Sequence, residues 1–143
     1  MDENLKALYR DTLLDHSRNP RNKGKLPEAT ATAALKNPLC GDLVSIQIAI
    51  NSARIDAARF EAQCCSLCMA SASLLTEAIQ NQNVPAAQRL AQSLIRQLNE
   101  PDLEIDIEPF NALSGVKAFP SRIRCATLPW EALLNAFAHP KQS

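Results

Sequence analysis

At 143 residues with a formal net charge of zero, the chain is sized for one domain (1–143) and lacks the basic excess of a nucleic-acid or anionic-membrane binder. Hydrophobic residues make up 46% of it, enough for a core without disulfides, and no apolar run reaches the length of a membrane span. The N-terminus is acidic at once and does not read as a secretory signal; with five cysteines, an odd number, this predicts a reducing compartment. There, clustered cysteines bind metal or do chemistry more often than they pair.

In chain order, residues 3–17 read as an amphipathic helix, with Leu8, Tyr9, Leu13 and His16 at helical spacing. "RNPRNKGK" (18–25) breaks it through Pro20 and Gly24. Strands are expected at 28–35, at 42–51 with Val44, Ile46, Ile48 and Ile50 on one face, and at 55–63 beyond an "NSAR" turn. From Met69 the pattern turns helical and rich in Ala and Ser. A second helix over 84–99 starts near Pro85 and repeats Leu90, Leu94 and Leu98. Residues 100–121 read as a long acidic connection, and Asp102, Glu104, Asp106 and Glu108 as a solvated extended segment. The last helix, from Arg122, carries Trp130 as a core anchor and Pro129, which predicts a kink or a fresh start. These elements predict an α+β domain, a small three-stranded antiparallel sheet with flanking helices.

The cysteines stand at 40, 64, 65, 68 and 125. Cys40 lies in "NPLCGD", a turn shaped by Pro38 and Gly41, with Asp42 two residues on. If 42–51 and 55–63 form a hairpin, Cys40 and Asp42 share one sheet end with Cys64 and Cys65. Cys125 would have to be delivered by the last helix, which strand periodicity alone does not show. Thiolates suit zinc, copper(I) or iron–sulfur clusters, and three thiolates with one carboxylate complete a tetrahedral zinc shell. Cys65 and Cys68 also form a C-x-x-C, but the βαβ context of redox pairs is absent, and Cys68 also fits as a small buried side chain on a first helical turn.

"NPLCGD" (37–42), "FEAQCCSLCMASASLLTEAI" (60–79), "RIRCATLPW" (122–130) and the opening "LYRDTLLDHSRNPRNKG" (8–24) together resemble the U-type (IscU/NifU-like) iron–sulfur cluster assembly family, in its SufU-type branch. The resemblance implies the SufE/NifU (IscU-like) fold and a cytoplasmic bacterial protein. It implies that Cys40, Asp42, Cys65 and Cys125 hold zinc, and that Cys40 accepts persulfide sulfur from a SufS-type, pyridoxal-phosphate-dependent cysteine desulfurase, with a SufBCD-type scaffold downstream. The alternative it carries is a scaffold for a transient [2Fe–2S] cluster on the same residues. Cys64 stands where the family has the second glycine of G-x-G, Ala62 where it has the first, and Cys68 where it has serine. Arg124 replaces the histidine usual before the last cysteine of the scaffold branch, and "AFPSRIRC" stands where that branch has L-P-P-V-K. The 60 positions between Cys65 and Cys125 also exceed that branch's spacing, so 84–118 resembles the SufU-type insertion. Arg124 could steady a thiolate, pair with Asp42, or simply be a solvated helix charge. His16 and the basic loop of Arg18, Arg21, Lys23 and Lys25 are either a partly buried histidine with a solvated loop or a docking surface.

Overall fold

The computed structural model describes residues 3–39 and 41–139. Helix α1 (Glu3–Arg18) leads into strands β1 (Ala31–Lys36), β2 (Leu43–Asn51) and β3 (Arg54–Gln63). Then come α2 (Ser66–Ile79), α3 (Val84–Asn99), a 3-10 segment (Phe110–Ala118) and α4 (Pro120–Ala138). The three strands form one antiparallel sheet in the order β1-β2-β3. The expected α+β architecture is therefore the observed one.

Alternation explains the sheet's inner face. Val44, Ile46 and Ile48 of β2 and Ile55, Ala58 and Phe60 of β3 are buried, while their neighbours turn outward. The β2–β3 turn holds Ser52 at φ 53° and Ala53 at φ 64°, both left-handed without glycine, as a tight hairpin of the right twist requires.

The structure differs from the sequence expectation at several places, most of all over residues 100–121, expected as a long connection but holding the 3-10 segment and the start of α4. β1 begins at Ala31 rather than 28: Thr30 meets β2 partly through its side chain, its N–H donating to the Ile48 carbonyl at 2.8 Å and its hydroxyl accepting the Ile50 N–H at 2.9 Å, while Ala29 N–H turns back to the Leu26 carbonyl. α2 begins at Ser66 rather than Met69, so Cys68 lies inside its first turn. α4 runs unbroken through Pro129. One missing N–H and a ring clash are offset there by burial: Leu128, Trp130, Ala132 and Leu133 around the proline are wholly buried.

α4 crosses the sheet against β1 and β2 and also packs on α2, α3 and the 3-10 segment. Its anchor is Trp130. The indole meets Phe110 edge-on, with centroids 5.0 Å apart at 87°, and its Nε1 donates to Ser71 Oγ on α2 at 3.1 Å. Ser71 in turn donates to the Ala126 carbonyl at 2.6 Å. Alanines and serines along α2 (Ala70, Ser71, Ala72, Ser73) are fully buried and let α4 and α1 approach closely. The acidic connection is anchored by Lys117, whose ammonium donates to the carbonyls of Gln97 at 2.6 Å, Glu100 at 2.7 Å and Leu103, closing the end of α3. Asp106 receives a bond from Gln97 Nε2 at 3.1 Å.

Candidate metal centre

Three elements converge at one end of the sheet. The register pairs Leu43 at the start of β2 with Gln63 at the end of β3, so Asp42 and Cys65 leave the hairpin side by side. The loop before β2 is closed by Asn37 N–H to the Asp42 carbonyl at 2.8 Å and Gly41 N–H to the Asn37 carbonyl at 2.7 Å. Gly41 turns the chain there at φ +76°, backbone that side chains rarely adopt. Cys65 is the N-cap of α2, in extended backbone and without a side-chain cap bond, so its sulfur is not spent on the helix. α4 brings in Cys125 from its second turn.

The ligand atoms of Asp42, Cys65 and Cys125 all lie within 4.8 Å of one another. Asp42 is 6% exposed and Cys125 4%. Asp42 Oδ1 accepts the Cys65 backbone N–H at 3.1 Å, while Oδ2 is buried with no hydrogen-bond partner among the described residues. A buried carboxylate oxygen left without a donor is costly unless a cation meets it. Two sulfurs and one carboxylate oxygen fit a metal with borderline-soft preferences such as zinc. Cys40, expected as a further ligand and as the sulfur acceptor, lies outside the described residues.

A guanidinium does face the thiols, but it is Arg122's. That side chain hydrogen-bonds the sulfurs of both Cys65 and Cys125, and its affinity for the proton is raised, first by the Cys65 thiolate charge. Arg122 stands one turn before Cys125 on α4, so helical spacing could have flagged it. Arg124 points elsewhere: its Nε pairs with Glu131 at 2.8 Å. Of the roles left open for Arg124, the half-exposed helix charge is the one its ion pair fits, because α4 turns residue 124 away from the face that carries Cys125.

Cys64 and Cys68 stand outside the clustered ligand atoms. The neighbouring Cys68 holds the Cys64 thiol below its ordinary range, against burial and the Asp42 charge, while Cys64 and burial push Cys68 far up. Of the two readings of Cys68, the small buried side chain on the first helical turn is the one observed. Neither Ala62 nor Cys64 needs left-handed backbone, so the path into Cys65 does not demand the family's glycines.

Leu39 (94% exposed), Leu43 and Phe119 adjoin the ligand-bearing segments in sequence, and a groove of about 420 Å³ between α1 and the start of α2 is lined by Tyr9, Leu13, Leu14 and Leu67. His16 sits at the far side of α1's contact with α2, buried, with Nδ1 2.8 Å from Ser73 Oγ. Arg21 is held by Asp15 at 2.7 Å and more loosely by Glu77 at 4.0 Å, and its N–H donates to the same Ser73.

The NifU-like N-terminal domain family model matches residues 8–139. The chain is 41% identical over 137 residues to the zinc-dependent sulfurtransferase SufU of Bacillus subtilis, covering 94% of this chain and 92% of that protein. It is 33% identical to the iron–sulfur cluster assembly scaffold protein IscU of Streptococcus pyogenes, covering 92% and 84%. A crystal structure described as that of an iron–sulfur cluster assembly scaffold for the SUF system of Fervidobacterium islandicum superposes with a TM-score of 0.82 at 25% identity, covering 94% and 98%. With its sheet, its converging ligands and this breadth of similarity, the chain belongs to the family of NifU-like N-terminal domains.

Proposed function

We propose that this protein is a zinc-dependent sulfur acceptor in iron–sulfur cluster assembly, taking persulfide sulfur from a SufS-type cysteine desulfurase for a SufBCD-type scaffold downstream. The observation that carries it is the buried, unpartnered Oδ2 of Asp42 beside the sulfurs of Cys65 and Cys125. Similarity to a protein named as a zinc-dependent sulfurtransferase supports it further. Asp42, Cys65 and Cys125 hold the metal together with Cys40, two positions before Asp42 in the chain. The chemistry that zinc supplies when bound is retention of deprotonated, shielded thiolates. Arg122 adds positive charge beside two of those sulfurs. The Cys40 thiolate attacks the outer sulfur of the desulfurase persulfide; a new S–S bond forms at Cys40, and the desulfurase cysteine leaves as thiolate with the bonding electrons. The apolar rim of Leu39, Leu43 and Phe119 is the surface against which the desulfurase docks.

Similarity to cluster scaffolds supports a second outcome, a transient [2Fe–2S] cluster on the same residues. Metal analysis and the visible spectrum of the purified protein separate the two. Stoichiometric zinc without cluster absorbance is expected; a coloured cluster that transfers to an apoprotein would favour the scaffold. Asp42→Ala, Cys65→Ser and Cys125→Ser should each weaken metal binding by on the order of a hundredfold, about a quarter of the free energy of a four-ligand zinc site. Cys40→Ala should abolish stimulation of the desulfurase, and full stimulation by that variant would remove the acceptor role.

A further inference from the structure

The groove of about 420 Å³ between α1 and the first turn of α2 has the 3-10 segment, through Gly115, as its third side. It is apolar over most of its lining, and nothing in the chain covers it. Leu14 is exposed there, and Leu13 and Leu67 are only half-buried. α1 adds two cations to one rim. Lys6 and Arg10 stand four residues apart, both exposed, on the helix face that also carries Leu13 and Leu14. Among the described residues no acid lines the groove, and neither cation makes an ion pair. Like charges at that spacing are unfavourable on a helix until acids meet them. The groove also opens beside the metal centre: Ser66 and Leu67, which line it, follow Cys65 directly.

We propose that this groove receives an amphipathic, carboxylate-bearing helix of the cysteine desulfurase, with apolar side chains in the groove and acids over Lys6 and Arg10. The identity of the partner rests on the sulfur-acceptor reading; the shape and charge of the occupant do not. The α1 wall is helical and its backbone groups are bonded within it, so an incoming segment finds no strand edge there to pair with. It must satisfy its own backbone, as a helix does. An apolar groove beside a helix takes side chains repeated at three- and four-residue spacing. Two unpaired cations on one rim select an occupant with carboxylates along the matching edge, and such charges steer encounter and fix register. Together with the rim of Leu39, Leu43 and Phe119, the groove gives the desulfurase a second point of attachment. Two points fix an orientation that one leaves free, and the persulfide then arrives at the metal centre from a single direction.

Gly115 offers a way to fill the groove without disturbing the fold. Its backbone is not left-handed, and a Cβ built there meets nothing within 4 Å. Gly115→Leu therefore adds apolar bulk to the groove wall. Binding of the zinc-loaded protein to a purified SufS-type desulfurase is measured by isothermal titration at low and at high salt, and stimulation of desulfurase turnover is titrated in parallel. Gly115→Leu and the pair Lys6→Glu/Arg10→Glu should each raise Kd roughly tenfold, with maximal stimulated rate and zinc content unchanged. The effect of the charge reversal should shrink at high salt, and that of Gly115→Leu should persist. The pair Arg54→Glu/Arg89→Glu, the same charge change at exposed positions off the groove, should bind like the parent. An unchanged Kd in either groove variant, an equal loss in Arg54→Glu/Arg89→Glu, or a lower maximal rate at unchanged Kd would overturn the proposal. So would a dimer of the parent chain that Gly115→Leu dissociates, which would give the groove to a second copy. Failure of the acceptor reading shows up separately, as groove-dependent binding with no sulfur passed to the chain.

Discussion

The two oxygens of Asp42 are divided between tasks. Oδ1 receives the Cys65 backbone N–H and ties the start of α2 to the β2 loop; Oδ2 is buried and points to no donor among the described residues. Position two after Cys40 nominated this residue from sequence alone, but the split between structural and ligand oxygens could be seen only once the hairpin register was known. His16 shows the opposite case, a titratable side chain recruited for packing. Burial, and then the Arg21 guanidinium, hold it below the usual histidine range, with Glu77 and Asp15 opposing. The folded chain therefore takes a proton less readily than the unfolded one. The stability this gives is complete above the unfolded value of about 6.5 and is lost as pH falls from there through the lower folded value. Melting measured in chelator should show the midpoint falling between pH 7.5 and 5.5, and His16→Gln should flatten that fall. Parallel curves for the two proteins would assign the pH dependence to other groups.

At the scale of elements, the helices that hold the site are locked by Ser71. Its hydroxyl donates to the Ala126 carbonyl and accepts the Trp130 indole N–H, so one side chain of α2 grips α4 on either side of Pro129. Ser71→Ala leaves the buried Trp130 indole N–H unpaired and removes a second bond from the Ala126 carbonyl, and should cost about 1–3 kcal/mol. Chemical denaturation checks this, and a loss below about 1 kcal/mol would mean that the helices re-pack without it. Periodicity made α1, β2, β3 and α3 legible, because each repeats apolar residues at its own spacing over many positions. It misplaced the start of α2 because Cys65, Ser66 and Leu67 carry no helical pattern of their own; the cap is made by the bond between Cys65 and Asp42, 23 residues apart in sequence. Of the kink or fresh start it expected at Pro129, the fresh start does not occur, a local penalty that burial around the proline outweighs.

For the molecule as a whole, metal binding and folding are linked, since the ligands come from the β2 loop, the start of α2 and α4. A cation that binds only the folded chain adds about 4 kcal/mol when its free concentration exceeds Kd a thousandfold. For a chain of this size, chelation should therefore lower the thermal midpoint by roughly 10 °C. Differential scanning fluorimetry with and without chelator tests it, and an unchanged midpoint would count against a metal held by these three elements. Among the described residues no helix is long and apolar enough to cross a membrane.

By itself the sequence determined the alternation of sheet and helices, the family motifs, and Asp42, Cys65 and Cys125 as candidates, because periodicity and motif spacing are local properties. Only the tertiary structure decided that Arg122 rather than Arg124 faces the sulfurs, and that Cys68 is buried in the core while Cys65 joins Asp42 and Cys125. The physical reason is rotation: which side chain meets which depends on how each helix is turned against the sheet. The burial of Trp130 and the small residues of α2 set that turn, and no single stretch of the chain encodes it.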